Sequence, residues 1–136
     1  MPFQVSWLVE KQVILATASG ECTMTEVAEL DLQITEFLRL SRQNNLTHLI
    51  LYLWDVTKFP TNIGEINQHS DSRREPNFGW VIVVNDNRLI RFVANVITQL
   101  TRMRFRNFET LKEATDFLKS QDTTIDWSLV TIDQED

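Results

Sequence analysis

The fold of this chain is decided by the stretch Leu49-Ile50-Leu51-Tyr52-Leu53-Trp54-Asp55-Val56. Its first six residues are apolar and turn-forming residues flank it, which is typical of a strand covered on both faces. A buried helix could show the same run, but this one is too short for a typical helix. We therefore predict an interior strand in which Leu51 and Leu53 are almost fully buried. Function in open α/β sheets usually lies just beyond such strands, so residues 55–63 are the first candidate region.

Strand and helix patterns alternate along the rest of the chain. Period-2 alternation or short apolar runs predict further strands near residues 3–7, 13–18, 80–84 and 103–108. Capping boxes, Thr23 with Glu26 and Thr110 with Glu113, each precede a helical stripe. A third stripe covers residues 88–101 and includes Phe92. Residues 60–76 fit neither period well, and we expect them to be mostly exposed and mobile.

This order of elements predicts an α/β fold. We expect a five-stranded, mostly parallel mixed sheet with an N-terminal β-hairpin and about four helices. Residues 1–122 are assigned to a single domain, and residues 123–136 to a short C-terminal strand and an acidic tail. The short strand rests on the alternation of Ile125, Trp127 and Leu129 with polar residues. Trp54 and Trp80 lie in the most apolar strands and are expected in the core.

Composition narrows the class of protein. The chain has 136 residues, a net charge of -6 and one cysteine, Cys22. The negative charge argues against general nucleic-acid binding. No apolar run is long enough to cross a membrane, and the N-terminus lacks a signal-peptide pattern. The single cysteine excludes an intramolecular disulfide and suits a reducing compartment, so we expect a cytoplasmic protein without membrane insertion.

The charge is unevenly placed. Five arginines and no acid lie between Arg88 and Arg106, whereas eight acids and two lysines follow from Asn107 onward. A solvated helix face followed by an acidic tail explains this pattern, and so does a local patch that meets an anion or an acidic partner. The residues of the candidate anion patch are Arg73, Arg74, Arg88 and Arg91.

Sequence patterns for catalysis, cofactors and metals are weak. The three glycines are isolated, so a nucleotide-binding loop is absent. His48 and His69 share no ligand spacing with Cys22 or a pair of carboxylates, which argues against a structural zinc site. The run His69-Ser70-Asp71 has the composition of a catalytic triad. Because triads are assembled from separated elements, three consecutive residues are most simply a polar loop. Cys22 precedes a helix and could be a reactive thiolate, although an inert cysteine fits better. We expect no catalytic residue, no cofactor and no metal.

Three segments resemble the STAS-like domains of bacterial anti-sigma-factor antagonists, in particular the short stand-alone proteins grouped with STAS and SEC14 domains. Gly20-Glu21 with Thr23 is similar to the family's entry into its first helix. Residues 51–64 resemble its central strand and the start of its second helix, and residues 80–118 resemble its closing pattern of strand, helix, strand and helix. Together these segments span most of the chain.

The resemblance implies a candidate phosphorylation position. Regulated members of the family carry an aspartate followed by a phosphorylatable serine at the start of the second helix, where this chain reads Pro60-Thr61-Asn62. Thr61 therefore stands as a phospho-switch or, alternatively, as an ordinary helix cap. The proline in place of the aspartate favours the cap.

Three classes of function remain open at this point. The resemblance favours a non-catalytic regulatory or protein-interaction module with an unknown protein partner. The alternative is a carrier or sensor of a small apolar or lipid-like ligand, as kinship with SEC14 domains implies, and an enzyme of unknown class is third. We also predict a homodimer, because Trp7 and Trp127 lie in terminal strands where sheet edges are expected.

Overall fold

The computed structural model describes residues 3–41, 46–60, 62–69, 71–85, 88, 91, 92, 95 and 104–130. The strands are β1 (Phe3–Val9), β2 (Val13–Glu21), β3 (Thr47–Lys58), β4 (Phe78–Val84) and β5 (Arg104–Phe108). The α-helices with defined bounds are α1 (Met24–Leu40), α2 (Ile63–Gln68) and α3 (Leu111–Gln121), and 3-10 turns span Asp71–Arg74 and Trp127–Leu129. Residues 88, 91, 92 and 95 are also helical, and the rest of the helix predicted over residues 88–101 lies outside the described residues.

The strands form one sheet in the order β1-β2-β3-β4-β5, with the predicted interior strand at its centre. β1 pairs antiparallel with β2, and the three following pairs are parallel. The predicted α/β fold is therefore confirmed. Leu53 is buried as predicted, but Leu51 is only half-buried. Leu51 lies between two apolar clusters on the α1 face of the sheet and packs against both, so neither encloses it.

Each face of the sheet carries its own apolar layer, because successive side chains of a strand point to opposite faces. The layer on the α3 face is one cluster that includes Ile50, Ile82 and Leu118. The α1 face has two clusters. One contains Ile34 and Leu38 of α1, and the other contains Leu53 and Val83 toward the carboxyl ends of the strands.

Both predicted helix starts are capped. The Thr23 hydroxyl accepts a hydrogen bond from the Glu26 amide, and the Glu26 carboxylate accepts one from the Thr23 amide. This is the reciprocal capping box. At α3 the Thr110 hydroxyl accepts from the Glu113 amide at 3.1 Å, which satisfies one of the free donors of the first turn. The two short sequence patterns therefore predicted the helix starts to the residue.

The polar segment over residues 60–76 is mostly exposed in its described part, but it is anchored. Ile66 of α2 is buried, and so are Ser72 and Glu75. The Asp31 carboxylate on α1 accepts hydrogen bonds from the Asp71 amide at 2.8 Å and from the Ser72 hydroxyl at 2.6 Å. The anchor is a carboxylate 40 residues earlier in the chain, which explains why the local pattern did not indicate it.

The C-terminal segment corrects one prediction. Residues 127–129 form a 3-10 turn instead of the predicted short strand. Asp126 causes the turn, because its carboxylate accepts a hydrogen bond from the Ser128 amide at 3.1 Å and holds the backbone in a tight bend. Only Val130 makes a strand-like contact in the described part of this segment, as a single antiparallel bridge to Val9.

Candidate functional site

Strands β4 and β5 end side by side, opposite Tyr52 of β3, and β3 itself continues beside β2 to Lys58. We define the carboxyl-edge site by the residues that meet there: Trp54, Asn85, Arg91, Asn107 and Glu109. Open α/β sheets bind their ligands outside the carboxyl ends of the strands, so this is the edge at which a site is expected. The sequence pointed to this end of the sheet through residues 55–63 and named Arg91 as part of a candidate anion patch, but it did not indicate the other four side chains as site residues.

Trp54 is 38% exposed, so the expectation that it lies in the core was wrong. The cause is an irregularity in β3. Thr17 of β2 pairs with Tyr52, but Ser19 pairs with Asp55, so β3 has one residue more than β2 over this step. An extra residue of this kind bends the strand and changes the direction of its side chains. Trp54 and Asp55 are consequently both exposed.

The exposed ring is held in one orientation. The indole N–H of Trp54 donates a hydrogen bond of 2.8 Å to the backbone carbonyl of Glu109, which directly follows β5. The bond links the central strand to the two-residue connection between β5 and α3. Trp54 therefore presents a fixed aromatic surface to solvent.

Arg91 links the same strand ends from another side. Its guanidinium donates to the backbone carbonyl of Asn85 from Nε at 3.1 Å and from Nη2 at 2.7 Å. Nη2 also lies 3.4 Å from the Glu109 carboxylate. Since the charge of Arg91 is matched by Glu109, this arginine stabilises the edge and is not an open anion-binding group. Phe92, the next residue, is 63% exposed, which the predicted helical stripe did not indicate.

Two buried amides lie behind this surface. Asn85 is 0% exposed, and neither its Oδ1 nor its Nδ2 has a hydrogen-bond partner among the described residues. Asn107 Oδ1 is likewise buried and without a partner in that part of the chain. Asn107 pairs with Val83 across the sheet, so both amides lie on the α1 face beside the cluster of Leu53 and Val83. Buried polar atoms are nearly always paired, so these amides are available to a water molecule or to a polar group of a ligand.

The four arginines predicted as an anion patch do not come together. Arg73 and Arg74 lie in the 3-10 turn before β4, whereas Arg88 and Arg91 follow β4. The two pairs are separated by a strand of seven residues, which spans roughly 20 Å. Arg74 also has a carboxylate neighbour, since its Nη1 lies 3.8 Å from Asp71 Oδ1.

The candidate phospho-switch Thr61 lies outside the described residues. The structure does identify the cap of α2, which is Asn62 and not Thr61. The Asn62 side chain accepts a hydrogen bond from the Glu65 amide at 3.0 Å. Asparagine ranks at least as high as threonine at this position, so the neighbouring residue takes the role that was predicted for Thr61.

Trp7 and Trp127, the residues predicted for self-association, lie on opposite faces of the sheet. Trp7 is half-buried and its ring packs 4.9 Å from Phe37 of α1. Trp127 is half-buried against the cluster on the α3 face, with Lys119 Nζ 5.2 Å from its ring. The two rings therefore do not form one surface within a single chain.

A buried pair that the sequence did not reveal lies at the other end of the sheet. His48 of β3 is 1% exposed, its Nδ1 accepts a hydrogen bond from the Trp80 amide at 2.9 Å, and its Nε2 donates to Asp122 at 2.8 Å. Burial lowers the pKa of His48, against the opposing effect of Asp122. Burial alone would raise the pKa of Asp122, but hydrogen bonds from Thr124 and His48 outweigh it and leave that pKa lowered. The neutral histidine joins α3 to the sheet and is closed to solvent.

The other candidate chemical groups show no sign of a reactive site. Burial, together with the nearby Glu26 carboxylate, raises the pKa of the Cys22 thiol, which disfavours a thiolate. Within the described ranges no cluster of three or more histidine, cysteine or acidic side chains could hold a metal ion. None of the described helices is long and apolar enough to cross a membrane.

Comparison with known proteins shows the fold. No protein-family model matches the chain, and no curated protein matches it. A crystal structure of an uncharacterised protein of the DUF3478 family from Shewanella loihica PV-4, described as having a SpoIIAA-like fold, is similar to it with a TM-score of 0.62. The match has 13% sequence identity and covers 85% of this chain and 93% of that protein. The chain therefore has a SpoIIAA-like, STAS-like fold, as its sequence resemblance implied.

Proposed function

We propose that this protein is a non-catalytic, STAS-like regulatory module of the bacterial cytoplasm that works by binding another protein at the carboxyl-edge site. The observation that carries the proposal is Trp54. It is 38% exposed on the central strand, two residues beyond the position where β4 and β5 end, and it is fixed by its hydrogen bond to Glu109. Tryptophan is enriched among the residues that dominate binding energy, and a ring that is already ordered loses little freedom on binding.

Two features support binding over catalysis. His48 is enclosed between Trp80 and Asp122 and cannot reach a substrate. The pKa of Cys22 is raised, so the thiol stays protonated at neutral pH. A general base and a nucleophile are the usual partners in acyl and group transfer, and neither of these side chains suits its role.

Site-specific photo-crosslinking in the native host tests the proposal. A photoreactive phenylalanine analogue in place of Trp54 should give a crosslinked adduct with one partner protein. The same analogue in place of Leu32, which is 60% exposed on α1, is the matched control and should not give that adduct. Identical adducts from both positions, or no adduct from position 54, would contradict the proposed site.

A second candidate function is a carrier of a small apolar ligand with a polar head group. The buried, unpaired amide of Asn85 and the buried, unpaired Oδ1 of Asn107 favour it, because Asn107 pairs with Val83 of the apolar cluster that also contains Leu53. Native mass spectrometry of the protein purified from its host should then show a bound molecule that is lost in an Asn85→Leu variant. A single peak at the mass of the bare chain would remove this candidate.

We also propose that the protein forms a homodimer. The support is the sheet edge at β1, which carries no charged residue over Phe3–Val9. Uncharged edge strands tend to pair with other chains. Sedimentation at micromolar concentration tests this, and a monomer would end the proposal.

A further inference from the structure

Strand β5 is the edge strand of the sheet opposite β1, and it carries two arginines on one face. Among the described strands β5 pairs only with β4. Arg104 and Arg106 pair across the sheet with Trp80 and Ile82, so both side chains lie on the α3 face. Both arginines are exposed. Because side chains on one face of a strand repeat every second residue, the two charges form a short row along the edge.

The backbone of β5 also has polar groups directed away from the sheet. The Phe108 carbonyl accepts a hydrogen bond from the Asn85 amide on the β4 side. Because the direction of these groups alternates along a strand, the amides and carbonyls of Phe105 and Asn107 face the free edge. Arg106 Nη1 donates to the Phe105 carbonyl at 2.8 Å. A carbonyl oxygen has two lone pairs, so this bond leaves room for a second donor.

Arg106 is held in place by aromatic rings. Its guanidinium carbon lies 5.1 Å from the centre of the Trp80 ring and 5.6 Å from that of Phe117. The two rings meet edge to face with their centres 4.9 Å apart. Stacked in this way, the guanidinium keeps its charge at a defined position above the edge of the sheet.

These two arginines also differ from other basic side chains of the protein. Neither Arg104 nor Arg106 has a carboxylate within ion-pair distance in the part of the chain that the structure describes. Four other lysines and arginines there form ion pairs, namely Arg39 with Glu75, Arg74 with Asp71, Arg91 with Glu109 and Lys112 with Asp116. In a chain whose net charge is -6, two positive charges without an ion-pair partner among the described residues mark a place for a negative partner.

We propose that β5 binds an acidic, extended segment of a partner protein, which adds to the sheet as a further strand. Its backbone would pair with Phe105 and Asn107, and carboxylates on alternate residues would meet Arg104 and Arg106. The inference rests on the proposed function only in taking a protein as the partner, since Arg104 and Arg106 lie along β5 and are not residues of the carboxyl-edge site, with which this surface shares only Asn107. Charged residues on an edge strand also discourage aggregation. That role requires neither the stacking of Arg106 on Trp80 and Phe117 nor the lack of ion-pair partners among the described residues.

Fluorescence anisotropy with a labelled peptide in which glutamate alternates with valine tests the inference. The wild-type protein should bind this peptide, with an affinity that falls as salt is added. The double variant Arg104→Glu/Arg106→Glu should bind about tenfold more weakly, because two attractions become repulsions. Arg104→Glu alone should also weaken binding. Because the ring contacts involve Arg106, this single variant serves as the test if the double variant folds poorly. Arg74→Glu, another exposed arginine, is the matched control and should bind as the wild type does.

Two further probes separate strand addition from simple charge attraction. The same peptide with N-methyl groups on alternate residues keeps its charge but cannot pair along an edge, and it should not bind. Equal binding of the methylated peptide, or no effect of the arginine variants, would overturn the inference. Tighter binding of single-stranded DNA than of the peptide would overturn it as well, since the partner would then be a nucleic acid. Trp54→Ala should leave peptide binding unchanged, so a failure at one surface is distinguishable from a failure at the other.

Discussion

His48 and Asn85 are both enclosed polar side chains, but they lie at opposite ends of the sheet and differ in their bonding. His48 is 1% exposed and uses both ring nitrogens, toward Trp80 and Asp122. Asn85 is 0% exposed and uses neither polar atom of its side chain among the described residues. An unpaired buried polar group lowers stability, so such groups tend to persist where function requires them. The comparison supports the proposal that the carboxyl end of the sheet serves binding, whereas the His48 pair stabilises the amino end.

The amino end should be intolerant of added volume. A Cβ atom at Gly79 would lie 2.6 Å from Cε1 of His48 and 3.2 Å from Cβ of Leu46. Because the histidine is held by two hydrogen bonds, it cannot move away without losing them. Gly79→Ala should lower the free energy of unfolding by about 3 kcal/mol, measured by urea denaturation.

Gly64→Ala is the matched control for that experiment. Gly64 lies in α2, and the nearest atom to an added Cβ is 3.6 Å away, an ordinary contact distance. Alanine has a higher helix propensity than glycine, so this change should raise the free energy of unfolding by about 0.5 kcal/mol. Equal losses from both substitutions would show that the amino end is not special.

The His48–Asp122 pair predicts a loss of stability in mild acid. Burial lowers the pKa of His48 in the folded protein, whereas an unfolded histidine titrates near about 6.5. The unfolded state therefore binds more protons in the window below that value, and the free energy of unfolding falls as the pH falls through it. Protonation of Nδ1 also removes the acceptor of the Trp80 amide.

Denaturation curves between about pH 7 and pH 5 measure this effect. His48→Gln should be less stable at neutral pH, but its stability should vary less over the window. His69→Gln, which changes an exposed histidine in the loop after α2, should keep the pH dependence of the wild type. A His48→Gln curve as steep as that of the wild type would assign the pH dependence to other groups.

At the carboxyl end, replacing a buried amide should not lower the free energy of unfolding, in contrast to the substitutions at the amino end. Asn85→Leu removes unpaired polar atoms and should leave the free energy of unfolding unchanged or raise it by up to about 1 kcal/mol. Asn77→Leu is the matched comparison, because Asn77 Nδ2 donates to the Leu38 carbonyl at 2.9 Å and to Ser41 Oγ at 3.2 Å, while only its Oδ1 has no partner among the described residues. Asn77→Leu should lower the free energy of unfolding by about 2 kcal/mol. A similar loss for Asn85→Leu would mean that a bound molecule pairs with Asn85.

The sequence was most informative where the signal was local. The apolar run of β3 and the capping boxes at Thr23 and Thr110 act over a few residues, and they predicted the central strand and the starts of two helices. The period-2 pattern failed at residues 125–129, because a single hydrogen bond from Ser128 to Asp126 outweighs the alternation of apolar residues.

The site was less predictable because it depends on distant contacts. Trp54 is exposed through an irregular pairing with β2 and is fixed by Glu109, 55 residues away. His48 and Asp122 are 74 residues apart, and no spacing rule joins them. Only the general rule that function lies at the carboxyl ends of parallel strands pointed to the end of the sheet that carries the proposed site.

Substitution of Trp54 tests most directly whether the carboxyl end of the sheet binds a partner protein. The measurement is titration calorimetry of the partner captured at position 54 against the wild type, Trp54→Phe and Trp54→Ala. Trp54→Ala should weaken the Kd at least tenfold while it changes the free energy of unfolding by only about 1 kcal/mol, because the ring is partly exposed and makes one hydrogen bond. The Kd of Trp54→Phe should lie between those of the wild type and Trp54→Ala. An unchanged Kd for Trp54→Ala would contradict the account, and so would a loss of binding that merely follows a loss of folding.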